Sequence, residues 1–162
     1  MSKLTAARLR TLLKYSAQSG IFRWRVRASL SIKAGDAAGT LTKDGYLRFM
    51  IGSRRYLAHR LAWFYITGSW PKQDIDHKNG IRNDNRFSNL REGSRKLNCE
   101  NRRKANKNSI LGLLGVSAAN EKFVARIGYN GKRVHLGRFH SPELAHAAYV
   151  IAKRQYHDGC TI

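Results

Sequence analysis

Asp74-Ile75-Asp76-His77 sets a carboxylate beside an imidazole, and Asn83-Asp84-Asn85-Arg86, Asn89-Leu90-Arg91 and Asn98 follow at short intervals. His77 and Asn89 are 12 residues apart, and Asn89 and Asn98 are 9. A carboxylate, an imidazole and amides together can hold a hard divalent cation and activate a water. Asp74–His77 reads as a short strand, 78–89 as a polar, turn-rich loop and Leu90–Gly93 as a strand pairing back on the first. Ser94 then caps a helix expected to run to about Lys104. The result is a β-loop-β-α unit over 74–104. Asp76 and His77 are strand neighbours, so their side chains point to opposite faces; for both to serve one phosphate, the strand needs local twist or a bulge.

The surrounding chain says what such a site acts on. Lys and Arg number 31 against 10 Asp and Glu, a formal charge of +21. That excess points to a polyanion, bound with strong salt dependence through counterion release. Charge does not separate DNA from RNA, and a non-catalytic nucleic-acid-binding or regulatory protein is the rival class. The 42% apolar content, with 16 aromatic side chains among 162 residues (three Trp, seven Tyr, six Phe), argues for a folded chain. Cys99 and Cys160 form neither a zinc pattern nor a disulfide framework, which fits a reducing cytoplasm. No apolar run is long enough to span a membrane, and Met1-Ser2-Lys3-Leu4 leads directly into an amphipathic pattern without a signal-peptide core.

Upstream, Thr5 is a helix N-cap, Leu9, Leu12 and Leu13 repeat at helical spacing, and Gly20 is expected to end the helix. Residues 21–27 alternate as a strand, and 35–56 read as a small meander with turns at Asp44-Gly45 and Gly52-Ser53. A short helix carrying Leu57, Leu61, Ala62 and Tyr65 stops at Gly68. Downstream of a basic linker at 105–111, three strands and a helix are expected. Asn130-Gly131 is a hairpin turn; Ser141-Pro142-Glu143 supplies cap, Pro at N1 and an acid in the first turn. Phe123, Ala125 and Ile127 are expected inside, with Lys122, Val124 and Arg126 outside. Leu144, Ala148, Ile151 and Ala152 read as the apolar stripe of the helix. The fold class is α+β: a small N-terminal helix and β-meander, a ββα unit, then a three-stranded antiparallel sheet on one helix.

Asp76-His77, Asp84-Asn85-Arg86, Asn89-Leu90-Arg91 and Asn98, with His59-Arg60-Leu61-Ala62 and Gly68-Ser69-Trp70-Pro71 before them, resemble the HNH endonuclease family in its His-Asn-Asn, phage and homing variety. The resemblance covers residues 4–104. It implies a domain over 1–104 whose ββα core at 74–104 binds one Mg²⁺, or Mn²⁺, between Asp76 and Asn98. His77 is then the general base and Asn89 the amide that braces the strands and orients that histidine. Asp84 reads as loop-forming rather than as a ligand. Asn101, one turn beyond Asn98, is a helix-surface residue or approaches metal or DNA. His59 packs or contacts phosphate.

Gly115-Val116, Ala125-Arg126-Ile127, Arg133-Val134-His135-Leu136-Gly137-Arg138-Phe139 and Glu143-Leu144-Ala145 resemble the Apetala-two/ethylene-response-factor DNA-binding domain, over 112–162. That implies a sheet whose outer face, with Arg126, Arg133, His135 and Arg138, meets duplex DNA, reading bases or only phosphates. Ser117 and Ala118 stand where that family carries arginines, and Phe123 and His135 where it carries tryptophans, so its target sequence does not transfer. Arg86, Arg91, Arg95, Lys96, Arg102, Arg103, Lys104 and Lys107 are expected along the DNA backbone, with Arg23, Arg25, Arg27, Arg54 and Arg55 extending the path. The implied activity is metal-dependent DNA phosphodiester hydrolysis at a preferred site by a phage- or mobile-element-encoded enzyme. One site per chain implies nicking by a monomer unless two chains assemble on DNA.

Overall fold

The structure is a computed structural model describing residues 4–106 and 108–162; the readings at Met1 to Lys3 and at Lys107 fall outside the described residues. It is a mixed α+β chain of small antiparallel sheets and short helices. By packing it divides into two compact units, Met1–Gly93 and Ser94–Ile162.

In the first unit Thr5 caps α1 (Ala6–Leu12), its hydroxyl accepting from the Arg8 amide at 3.2 Å. The helix stops at Leu12, well short of Gly20. Leu13–Tyr15 is instead strand β1, paired antiparallel with β2 (Phe22–Trp24). Leu13 and Tyr15 are buried with Lys14 exposed between them, so the period of two wins over the period of 3.6 that the leucines suggested. Stacking of Tyr15 on Phe22, 4.5 Å between centroids, supports the hairpin.

The meander β3 (Thr40–Leu41), β4 (Leu47–Ile51) and β5 (Arg54–Leu57) is antiparallel in sequence order. Helix α2 (Ala58–Thr67) follows and ends at Gly68, which adopts the left-handed conformation (φ 75°) of a helix C-cap. Leu9, Leu13, Phe22, Phe49, Leu61 and Phe64 are buried in one core. Beside it run β6 (Asp74–His77) and β7 (Leu90–Gly93), pairing Asp76 with Arg91 and His77 with Leu90.

In the second unit α3 (Arg95–Glu100) is capped by Ser94 and ends at Glu100, not near Lys104. Its C-cap, Asn101, is buried rather than on the surface: its Oδ1 accepts from the Thr161 hydroxyl at 2.5 Å, while Glu100 accepts from the Gly159 amide at 3.0 Å. Residues 159–161 are thus tied to the end of α3 through side-chain acceptors. Strands β8 (Val116–Ala119), β9 (Lys122–Tyr129) and β10 (Lys132–Phe139) form a sheet with β9 central, followed by α4 (Pro142–Tyr156).

Two expectations about this unit need correction. Val124 shares the face of Arg126 but is buried, not exposed: it lies in the middle strand between Ser117 and Arg138, where neighbours on both sides hide a short side chain. The inner stripe of α4 is Ala145, Tyr149, Ala152 and Lys153, while Leu144 and Ile151 are more than half exposed. Tyr149 sets that rotation. Its ring lies over Gly115, where an added Cβ would fall 1.9 Å from the ring.

Gly20 is a tight joint of the first unit. It has φ +74°, and a Cβ there would lie 2.4 Å from the Arg86 nitrogen and 2.5 Å from the Asn85 carbonyl carbon. Gly45 has φ +83° with nothing within 4 Å. Gly45→Ala should cost only the left-handed strain, about 1–2 kcal/mol. Gly20→Ala should cost clearly more in denaturant unfolding, and equal losses would contradict the close approach.

Candidate nucleic-acid cleavage site

The loop between β6 and β7 is closed by its own polar side chains. Asn79 donates through Nδ2 to Asp84 Oδ2 (2.6 Å) and accepts at Oδ1 from the Ile81 amide (2.9 Å). Asp84 also accepts from Arg86, at 2.8 Å from Nε and 2.5 Å from Nη2. That guanidinium leads the causes holding the Asp84 carboxyl at about 2. Asp84 is therefore a clasp within the loop, and Arg86 is its partner. Asn89 spans the loop, its Oδ1 accepting from the Asn79 amide (2.9 Å) and its Nδ2 donating to the Asp84 carbonyl (2.8 Å). Arg82 donates to the Asp44 carbonyl (2.8 Å) and lies over the Tyr46 ring, tying the loop to the β3–β4 turn.

His77 is the last residue of β6 and is 4% exposed. Its Nε2 lies 3.3 Å from Asn85 Oδ1. The His59 ring packs edge-on against it at 5.0 Å, and Tyr46 lies 6.0 Å away. Burial pushes the His77 imidazolium down, against the opposing pull of Asn85, Asp76 and Asp84, so the ring is neutral at physiological pH. A neutral imidazole can accept a proton.

Asp76 sits opposite Arg91 across the ladder, and Oδ2 accepts from Arg91 Nε (3.0 Å) and Nη2 (2.9 Å). Of the two alternatives, local twist or a bulge, the bulge is absent: the β6–β7 register runs unbroken from Asp74 to His77. His77 instead ends the strand, and the chain turns directly after it, with the Gly80 amide donating to the His77 carbonyl at 2.8 Å.

His59 is buried beside His77 and Tyr46, and burial followed by the charges of His77 and Arg60 lowers it to about 3. It is uncharged at neutral pH, which favours packing over a phosphate contact. Sequence reasoning missed Tyr15, whose hydroxyl donates to the Asn85 carbonyl at 2.6 Å from 70 residues away. Burial, then the Asp84 charge, push the Tyr15 phenol up, so it stays a donor. No sequence interval marks that contact.

In the second unit Asn98 lies on α3, and its Oδ1 is buried without a hydrogen-bond partner among the described residues. An unsatisfied buried amide oxygen is costly unless something ligates it, so the residue fits a hard cation. Among the described residues no three His, Cys, Asp or Glu side chains gather as a metal cage; a cation completed by water and phosphate needs none. Arg95 and Lys104 are exposed, and Lys96 approaches Glu100 at 3.8 Å. Arg102 donates to Asn106, and Arg103 to the Thr161 carbonyl and hydroxyl.

The outer face of the second unit's sheet depends on a bulge. His135 pairs with Arg126, but Gly137, not Leu136, pairs with Ala125. The extra residue inverts the alternation, so Arg138 (opposite Val124) joins Arg133, His135 and Arg126 on one face. Strict alternation would have put Arg138 on the other face. Gly137 makes the bulge, with φ 138°.

Residues 56–99 match the family model described as HNH endonuclease. A search of curated proteins finds no match. Among solved structures the chain is similar to one titled "DNA binding and cleavage by the HNH homing endonuclease I-HmuI", at 20% identity and TM-score 0.42, over 91% of this chain and 88% of that one. No helix among the described residues is long and apolar enough to cross a membrane.

Keeping His59 neutral has a consequence for stability. Below its ordinary value of 6.5 the unfolded chain takes up a proton that the folded chain refuses until about pH 3. Stability is therefore full above that range and falls with pH, by up to about 1.4 kcal/mol per pH unit for one group. His59→Gln should flatten the acid limb of the denaturation midpoint plotted against pH; an unchanged limb would contradict a buried neutral His59.

Proposed function

We propose that this protein is a metal-dependent endonuclease that hydrolyses phosphodiester bonds in double-stranded DNA. The observation that carries the reading is the β6 terminus: a buried, neutral His77 next to the Asp76 carboxylate, inside the stretch that matches the HNH endonuclease model. His77 accepts a proton from the attacking water. Asn89 keeps the loop that carries Asp84 and Asn85 closed. Asp76 and Asn98 would hold the cation. Asn98 belongs to the second packing unit, and its role rests on sequence spacing and its unsatisfied oxygen. Bound Mg²⁺ or Mn²⁺ would neutralise phosphate charge and stabilise the leaving oxygen.

Functionally, residues 1–104 are the nuclease domain, 105–111 a linker and 112–162 the DNA-binding domain, which differs from the packing division after Gly93. The likeness of 112–162 to the Apetala-two/ethylene-response-factor domain rests on its sequence motifs. Its proposed DNA surface is Arg126, Arg133, His135 and Arg138, with Arg95, Lys96, Arg102, Arg103 and Lys104 along the backbone. Arg86 and Arg91 face carboxylates first, so any phosphate contact they make competes with Asp84 and Asp76. The enzyme acts in a reducing cytoplasm as a monomer unless two chains assemble on DNA.

Purified protein with Mg²⁺ or Mn²⁺ should nick plasmid DNA, and a chelator should stop it. His77→Ala should lower the cleavage rate by at least ~10²-fold while a gel-shift titration shows unchanged DNA binding. Undiminished cleavage removes the assignment of His77. Binding without cleavage in either metal favours a DNA-binding protein that retains the scaffold.

Combined Arg126→Ala, Arg133→Ala and Arg138→Ala should weaken DNA binding and make the slope of log affinity against log salt shallower by roughly one per lost phosphate contact. An unchanged slope and affinity would remove the sheet from the DNA interface.

A further inference from the structure

We propose that Asn85 is the positioning residue that fixes the tautomer of His77 and so presents Nδ1 as the proton acceptor; this rests on the nuclease reading above. The orientation of the Asn85 amide follows from its second bond. Its Nδ2 donates to the Asn83 carbonyl at 3.1 Å, so Oδ1 is the atom turned to His77. An amide oxygen only accepts, and the nitrogen facing it must carry the hydrogen. A neutral imidazole has one N–H; with that hydrogen on Nε2, the lone pair lies on Nδ1. Asn89 bonds instead to the Asn79 amide and the Asp84 carbonyl, so it braces the loop while the amide on Nε2 belongs to Asn85.

The clamp is anchored at a distance. Asn85 is 1% exposed. Its carbonyl accepts from the Tyr15 hydroxyl, Gly20 lies against its peptide, and the Phe87 amide donates to the Ala17 carbonyl at 3.0 Å. The turn between β1 and β2 thus holds the backbone on both sides of Asn85. His59, edge-on to the His77 ring, and Tyr46 limit its rotation. A base held in one tautomer avoids populating a form whose accepting nitrogen points away from the reaction.

The test uses full-length protein with ¹⁵N-labelled histidine. Long-range ¹H–¹⁵N spectra are recorded at about pH 8, where the ring is neutral, with His77 assigned from His77→Gln. The expected pattern is a protonated Nε2 and an unprotonated Nδ1; the reverse overturns the proposal with no activity measurement. Asn85→Leu should mix the tautomers and lower kcat on the order of 10²-fold, with DNA affinity unchanged. Asn85→Asp, which keeps an acceptor, should retain the pattern and recover most of kcat. Retention of both tautomer and kcat in Asn85→Leu also overturns it. If Asn85→Leu does not fold, the wild-type spectrum and Asn85→Asp decide. If wild-type protein shows the expected tautomer, Asn85→Leu loses it, and no divalent metal supports cleavage, the nuclease reading falls while the hydrogen-bond assignment stands.

Discussion

The hydrogen bond between Asn85 and His77 joins the chemistry of the first unit to its architecture. On one side is a buried imidazole beside the Asp76 carboxylate. On the other is a peptide pinned by Tyr15 and by the missing side chain of Gly20. The loop between β6 and β7 is rich in Asn, Asp and Gly, and such chains have many conformations of similar energy. Internal clasps alone (Asp84 on Arg86, Asn89 on Asn79 and Asp84) close the loop without aiming it. The β1–β2 hairpin gives it a fixed place through Tyr15 and Gly20.

Low dielectric keeps the same site neutral. His59 and His77 are both buried, both held below the ordinary imidazole range, and in edge-to-face contact. Two charged imidazoles could not share that space, so the pair stays uncharged in a chain of net charge +21. Asp76 is handled differently: it faces Arg91 across the ladder, and its charge is balanced without metal.

In the second unit the chain is organised by packing against glycine. Tyr149 over Gly115 sets the rotation of α4, and Gly137 allows the bulge that carries Arg138 to the face of Arg126, Arg133 and His135. Both effects come from single residues whose importance depends on what lies across from them. The pattern of Leu144 and Ile151 suggested another inner stripe because helical periodicity marks apolar residues without identifying the face that meets a sheet. Those two side chains are exposed instead.

Local signals were strong where covalent geometry and capping decide the outcome. Thr5, Ser94 and Ser141 as caps, Gly68 as a stop, Asn130-Gly131 as a turn and the pairing of 74–77 with 90–93 were all legible in the sequence. So was the adjacency of Asp76 and His77 that marks the candidate site. Contacts over long separations were not legible. Tyr15 on Asn85, Gly20 on Arg86, the chain end on Asn101 and the burial of His59 against His77 join residues whose spacing carries no period. Caps, tight turns, net charge and the types of reactive side chain were set by the sequence alone, because these follow from local propensity and composition. Burial of His77 beside His59, its Asn85 partner and the face on which Arg138 stands were decided in three dimensions, because each depends on which groups distant segments bring within hydrogen-bonding or packing distance.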